Sequence, residues 1–103
     1  MNYRILQIKY IEDTKYAFRS YEYALKHGFT LSDYVEVYRG INSEKGSDNY
    51  ILESLFVQFN LNRPDDFTGH SLSVSDIVVL EDKYYYCDSA SWEEITFEGD
   101  TLK

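Results

Sequence analysis

The sequence predicts a small α+β domain in which a four-stranded mixed sheet packs against two helices. Two stretches repeat apolar residues at helical spacing, and strand-like runs lie before, between and after them. An apolar run at residues 77–80 follows the only proline of the chain. The predicted order is β-α-β-α-β-β, and short crossovers put both helices on one face of the sheet or one on each.

The chain length favours a single domain over residues 1–103, because 103 residues suffice for one modest core. Hydrophobic residues make up 44% of the sequence, which argues against wholesale disorder. Aromatic residues reach 17%, and eleven of them are tyrosines. Tyrosine combines a large apolar ring with a polar tip, so we expect some of these rings on exposed contact surfaces.

The first half of the chain predicts a strand followed by a helix. Residues 3–10 carry apolar side chains on both faces, which is typical of a strand covered on both sides. Residues 15–27 change to helical period, and Gly28 follows as a predicted C-cap. The buried stripe of this helix falls at i, i+4, i+7 and i+8, on Ala17, Tyr21, Ala24 and Leu25, and Phe18 extends it.

A second strand and a second helix follow. Residues 33–40 alternate, and we expect Val35 and Val37 to point inward. Ser47 or Asp48 is the predicted N-cap of the next helix, and Asn60 is its predicted stop. The apolar stripe of this helix consists of Leu52, Leu55, Phe56 and Phe59.

The last third of the chain is organised around residues 63–80. Residues 65–69 read as a turn after Pro64, and residues 77–80 are apolar enough to form the central strand. We expect residues 81–83 to form a tight turn after the central strand and residues 84–88 to form the return strand. We expect residues 91–95 to form a short cap or helical turn and residues 97–103 to be loosely held.

Cysteine content and hydropathy indicate a cytoplasmic protein. The single cysteine, Cys87, excludes an internal disulfide and a cysteine-rich zinc site. No apolar run has the length of a membrane span, and the first residues lack the build of a signal peptide. We expect Cys87 to be a small, inert core residue.

Charge is distributed unevenly along the chain. Residues 1–40 carry a net charge of +1, and residues 41–103 carry −9. An acidic protein repels phosphate backbones, so direct binding to nucleic acid is not expected. The carboxylates predict either a solubilising surface or a decoy that occupies the DNA site of another protein.

Several motifs resemble the YodL-like domain family. The most specific is the block Gly69-His70-Ser71-Leu72-Ser73-Val74-Ser75-Asp76. Arg63-Pro64 before it, Tyr85-Tyr86-Cys87-Asp88-Ser89 after it and Ser20-Tyr21-Glu22-Tyr23-Ala24 in the first helix extend the resemblance over nearly the whole chain. The resemblance implies a bacterial setting in Firmicutes, often in phage or conjugative elements, and supplies no catalytic residue.

Two enzymatic hypotheses centre on this block. His70, Ser71 and Asp76 are the residue types of a nucleophilic triad, but adjacent side chains of an extended chain point to opposite faces. A divalent ion could be held by four nearby side chains, although they lack calcium-loop spacing: Asp65, Asp66, His70 and Asp76. We favour a structural role, in which short polar side chains bond the backbone at the strand entry, and predict no catalytic residue, metal or cofactor.

The function that the sequence favours is a non-enzymatic module that binds another protein. The acidic decoy is the alternative, and a metal-assisted or His70-dependent hydrolase comes third. The oligomeric state is left open. The predicted interaction surface comprises Asp65, Asp66, Phe67, His70, Trp92, Glu93 and Glu94.

Overall fold

A five-stranded antiparallel sheet forms the middle layer of the computed structural model, which describes residues 1–98 and 101–102. The strand order is β2-β1-β3-β4-β5. The strands are β1 (Asn2–Ile8), β2 (Tyr34–Ile41), β3 (Ile77–Leu80), β4 (Lys83–Cys87) and β5 (Trp92–Ile95), and the helices are α1 (Tyr21–Lys26) and α2 (Asp48–Leu61).

A separate two-stranded ladder joins β6 (Phe97–Glu98) to β7 (Thr101–Leu102). The expectation that residues 97–103 are loosely held falls partly on residues 99, 100 and 103, which lie outside the described residues.

The four-stranded mixed sheet predicted from the sequence is wrong, although the α+β class is confirmed. Residues 91–95 were expected to form a cap or helical turn, but Trp92–Ile95 pairs with β4 as a fifth strand. The adjacent acidic pair Glu93 and Glu94 conceals the strand in the sequence, because charged residues are depleted from strands in general. The sheet is not mixed because every pair of adjacent strands in it is antiparallel.

Two apolar clusters cover the two faces of the sheet. One lies under α2 and includes Ile5, Leu55 and Val78, and the other lies under α1 and includes Leu6, Ala24 and Val79. All four residues of β3 are buried, and β3 is the middle strand of the sheet. The predictions of a central strand at residues 77–80 and of a first strand covered on both faces are therefore confirmed.

The first helix is shorter than its sequence period indicates. The predicted span of residues 15–27 begins with turns, and α1 starts only after Ser20, whose side chain accepts a hydrogen bond from the Tyr23 N–H at 3.2 Å. Phe18 interrupts the helix because its φ of 61° is left-handed. At the other end Gly28 has a φ of 82°, as a helix C-terminus favours.

A β-bulge explains a second difference between pattern and structure. Ile5 pairs with Tyr38 and Leu6 pairs with Glu36, so Val37 has no partner in the register of β1 and β2. The alternation of side chains therefore shifts in the middle of β2. Val35, which the sequence predicted to be inward, is 42% exposed.

The second helix matches its predicted stripe closely. Ser47 is its N-cap, with the hydroxyl accepting from the Tyr50 N–H at 3.2 Å, and Asn62 is the C-cap, two residues beyond the predicted stop. The buried residues of α2 are Ile51, Leu52, Leu55 and Phe59. No helix among the described residues is long and apolar enough to cross a membrane.

Replacing Leu55 by alanine should destabilise the fold by about 2–5 kcal/mol, because the fully buried side chain leaves a cavity between α2 and the sheet. Val57 lies two residues away on the outer side of α2 and is exposed. Val57→Ala is the matched control and should change stability by less than about 0.5 kcal/mol. Urea unfolding of both variants checks this, and equal losses would contradict the packing described for α2.

Candidate functional site

The carboxyl group of Asp76 lies at the entry to β3 and is buried, with 1% of the residue exposed. Its Oδ2 accepts hydrogen bonds from Gln7 Nε2 at 3.0 Å and from the Ser73 backbone N–H at 2.8 Å. His70 Nε2 lies 3.8 Å from Oδ1. Among the salt bridges of the described residues, none joins Asp76 to a lysine or arginine.

Burial controls the protonation of this group. Desolvation raises the pKa of Asp76 to about 8, and the hydrogen bonds from Ser73 and Gln7, which favour the charged form, only partly offset it. The folded protein therefore keeps this carboxyl group protonated at pH values at which an exposed aspartate is ionised.

Gln7 joins the loop of residues 63–76 to the sheet. Its side chain projects from β1, and Nε2 donates both to Asp76 Oδ2 and to the His70 carbonyl at 2.9 Å. Gly69 allows this approach, because a Cβ atom there would overlap Gln7 Oε1 and lie 2.9 Å from the Phe67 ring. The glycine of the Gly69–Asp76 block is thus required by close packing.

The His70 ring is engaged through both of its nitrogens. Nδ1 lies 2.7 Å from the Ser71 carbonyl oxygen, and since a carbonyl only accepts, Nδ1 carries the proton. Nε2 faces Asp76. The ring is therefore held in one orientation, at 5.7 Å from the ring of Phe18.

Phe18 and Ser75 form an unusual pair of left-handed residues. Phe18 has φ 61° and Ser75 has φ 81°, and the Phe18 N–H donates to Ser75 Oγ at 2.9 Å. Ser75 is buried, and its backbone is fixed from two further sides. Its N–H donates to the Cys87 carbonyl at 2.9 Å, and its carbonyl accepts from the Tyr34 hydroxyl at 2.6 Å. Buried groups thus hold Phe18 in place while the residue stays 49% exposed.

The family model described as "YodL-like domain" matches residues 2–97, a range that contains the whole sheet and the polar network around Asp76. The chain belongs to the YodL-like domain family. The resemblance inferred from the Gly69–Asp76 block is therefore confirmed. No curated protein and no solved structure matches the chain.

The predicted interaction surface draws its residues from two parts of the YodL-like fold, the loop after α2 and the strand β5. Asp65 and Asp66 are exposed, and Phe67 packs at 5.0 Å from the ring of Phe59 and at 6.0 Å from that of Tyr38 in β2. His70 extends this first group toward Phe18.

The second group lies on β5, where Trp92 packs at 6.4 Å from Phe56 and donates through Nε1 to Glu53 at 3.0 Å. Glu93 and Glu94 on the same strand are exposed. Because β2 and β5 are opposite edges of the sheet, four strand spacings, roughly 19 Å, separate them. Phe67 and Trp92 both pack against the core cluster under α2, and whether this surface binds a partner stays a prediction.

The residues of the hydrolase hypothesis do not assemble as a triad. His70 bonds the carbonyl of Ser71, and the hydroxyl of Ser71 makes no described contact with the ring. Among the described residues, no three His, Cys, Asp or Glu side chains lie close enough together to hold a metal ion. The geometry gives the hydrolase hypothesis no support, and it stays a prediction.

Cys87 lies on β4 and is buried. Burial raises the pKa of its thiol to about 12, because the thiolate would lose its solvation and would face the carboxylate of Asp76. This protonation state favours the inert core role expected from the sequence.

Two residues of the site were not found from the sequence. Gln7 lies on the face of β1 that also carries Tyr3 and Ile5, both buried. A polar residue on this apolar face was the sequence feature that could have identified Gln7. Phe18 was assigned to the stripe of a helix that does not reach it. Its neighbour Ser20, a strong N-cap residue, marked the true helix start.

Replacing Asp76 by asparagine should remove a pH dependence of stability. Between the unfolded pKa near 4 and the folded pKa of about 8, the folded chain keeps a proton that the unfolded chain loses, so stability falls as pH rises. Each pKa unit corresponds to about 1.4 kcal/mol, so from pH 5 to pH 8 the loss approaches about 4 kcal/mol. Asp76→Asn cannot ionise and should lack this loss.

Urea unfolding at pH 5 and pH 8 measures the difference between wild type and variant. Asp65→Asn, which changes an exposed carboxylate, is the control and should follow wild type. Parallel stability curves for wild type and Asp76→Asn would show that Asp76 is ionised in the folded protein.

Proposed function

We propose that this YodL-like domain is a non-enzymatic module that binds another protein through a Phe18 patch, defined as Phe18, Asp65, Asp66, Phe67 and His70. The observation that carries the proposal is the left-handed Phe18, half exposed and fixed to a buried serine. We propose that the protein acts in the bacterial cytoplasm and is of bacterial or mobile-element origin.

Backbone strain at Phe18 is the first support. A bulky side chain at positive φ is a rare outlier, and such conformations cost on the order of 1–3 kcal/mol. The chain maintains this conformation and leaves the ring half exposed, so the strain does not serve to bury the ring. Retained strain of this kind clusters at functional sites.

Pre-organisation of the ring is the second support. The hydrogen bond to Ser75 and the contact with the oriented His70 ring fix where Phe18 points. Rigid aromatic side chains lose little entropy on binding and are frequent hot spots of protein interfaces. The exposed carboxylates of Asp65 and Asp66 favour a partner surface that carries lysine or arginine.

The second candidate, an acidic decoy for a DNA-binding protein, rests on the net charge of −9 in residues 41–103. A decoy contact would be mainly electrostatic and would weaken steeply as salt increases. A contact centred on Phe18 would be less sensitive to salt. The two candidates therefore differ in a property that a wash series measures.

Phe18→Gly should abolish partner capture without lowering stability. Glycine adopts positive φ without steric cost, so the substitution relieves the strain while it removes the aromatic anchor. Affinity capture from a lysate of the source organism compares the partner retained by wild type and variant, and thermal unfolding measures stability. Washes at rising salt then separate the aromatic contact from the decoy.

Tyr10→Ala is the matched control, because Tyr10 is another exposed aromatic residue, 68% exposed, outside the patch. It should retain the partner. Equal retention by wild type and Phe18→Gly would refute the patch, and equal loss with Tyr10→Ala would show non-specific adsorption to aromatic rings.

A further inference from the structure

The outer edge of β2 pairs with no strand among the described residues, since β2 is the last strand of the sheet on its side. Eight residues form this strand, which is long for an unprotected edge. Val35 is 42% exposed and Ile41 is 78% exposed.

The direction of the free backbone groups follows from both ends of the β1–β2 ladder. Met1 and Asn42 exchange two hydrogen bonds, each 2.8 Å long, so Asn42 faces β1. Alternation in an antiparallel pair then turns the backbone groups of Ile41 and Arg39 toward the free edge.

The same reasoning from the other end gives two further outward residues, Tyr34 and Glu36. The Lys9 N–H donates to the Asp33 carbonyl at 2.9 Å, so Asp33 faces β1 and alternation turns Glu36 outward. Counted from Asn42, the odd-numbered residues of β2 face outward, whereas counted from Asp33 the even-numbered residues do. The extra residue at the Val37 bulge accounts for this change. The outward residues nearest the middle of the free edge are therefore Glu36 and Arg39.

We propose that two copies of this chain associate through the outer edges of their β2 strands, which run antiparallel about a two-fold axis with Glu36 of each copy opposite Arg39 of the other. In this register the outward backbone groups of one strand meet those of the partner copy. The contact joins two five-stranded sheets into one. It goes beyond the proposed function and does not depend on it.

Charge complementarity selects a second copy as the occupant of this edge. Glu36 and Arg39 carry opposite charges, and the two-fold axis places Glu36 of each copy opposite Arg39 of the other, so both pairs across the interface are attractive. Within one chain Glu36 already accepts from Arg39 Nε and from another Arg39 nitrogen, both at 2.8 Å. Hydrogen bonds from Arg39 lower the pKa of Glu36, which keeps it ionised. Glu36 also accepts from Arg4 Nη1 on β1 at 3.4 Å, so the interface brings together the Glu36–Arg39 pairs of two copies with Arg4 of each copy beside Glu36.

The opposite interpretation is that Glu36, Arg39 and the bulge protect the edge against pairing, as charges and bulges do in many sheets. Under that interpretation the protein is a monomer, and reversing one charge leaves it so. The two interpretations predict different masses in solution.

Sedimentation equilibrium of the full chain up to about 1 mM measures the association directly. We expect the wild type to show twice the chain mass of 12.2 kDa. Glu36→Arg leaves two positive charges on the edge and Arg39→Glu leaves two negative charges, so each variant alone should be monomeric. An equimolar mixture of the two variants places opposite charges in both pairs and should restore a dimer.

The mixture also shows that both variants are folded. Lys26→Glu, which makes the same charge change as Arg39→Glu on the exposed face of α1, is the control and should remain dimeric. A monomeric wild type over the whole range would overturn the proposal. A dimer that persists in both single variants, or a mixture that stays monomeric beside a dimeric wild type, would also overturn it.

Discussion

The complete burial of β3 is the constraint on which the rest of the structure depends. Because both faces of its four residues are covered, the chain that leads into it must satisfy its polar groups inside the protein. Asp76 stands at that entry, and Gln7, Ser73 and His70 surround its carboxyl group. The Gly69–Asp76 block, which resembles a catalytic motif in the sequence, thus has a structural role: it satisfies polar groups where the loop enters the apolar strand β3.

The same entry explains the strained backbone. Ser75 directly precedes Asp76 and must turn the chain into β3 within one residue while its N–H and carbonyl are bonded to Cys87 and Tyr34. Its left-handed conformation meets these demands, and its hydroxyl is then free to accept from Phe18. Strain at Ser75 therefore has a structural cause. Phe18 is held by its hydrogen bond to Ser75 and by its contact with His70, yet its left-handed conformation leaves the residue half exposed, which is why Phe18 carries the functional proposal.

The sequence predicted what local pattern determines and failed where distant contacts decide. The apolar run of β3 and the stripe of α2 are strong local patterns, and both were found. The strand β5 was missed because Glu93 and Glu94 are tolerated only at an exposed edge, and strand order decides which strand is the edge. Phe67 and Trp92, which the sequence had placed on one surface, both pack against the cluster under α2. His70 and Asp76 were expected to have structural roles at the strand entry, but Gln7, which reaches them from a strand more than sixty residues away, was not foreseen.

Tyrosine content shows why composition alone could not identify the contact surface. Five of the eleven tyrosines are buried, and four of them donate their hydroxyl groups inside the fold: Tyr16 to Asp33, Tyr34 to Ser75, Tyr85 to Asp48 and Tyr86 to Arg19. A two-sided sheet needs large residues on both faces, and tyrosine fills that space while its tip bonds a loop carbonyl or carboxylate. The high aromatic content is thus explained largely by the core. A half-exposed aromatic residue in a strained, left-handed backbone conformation is a more specific signal than aromatic content. Phe18 has this combination.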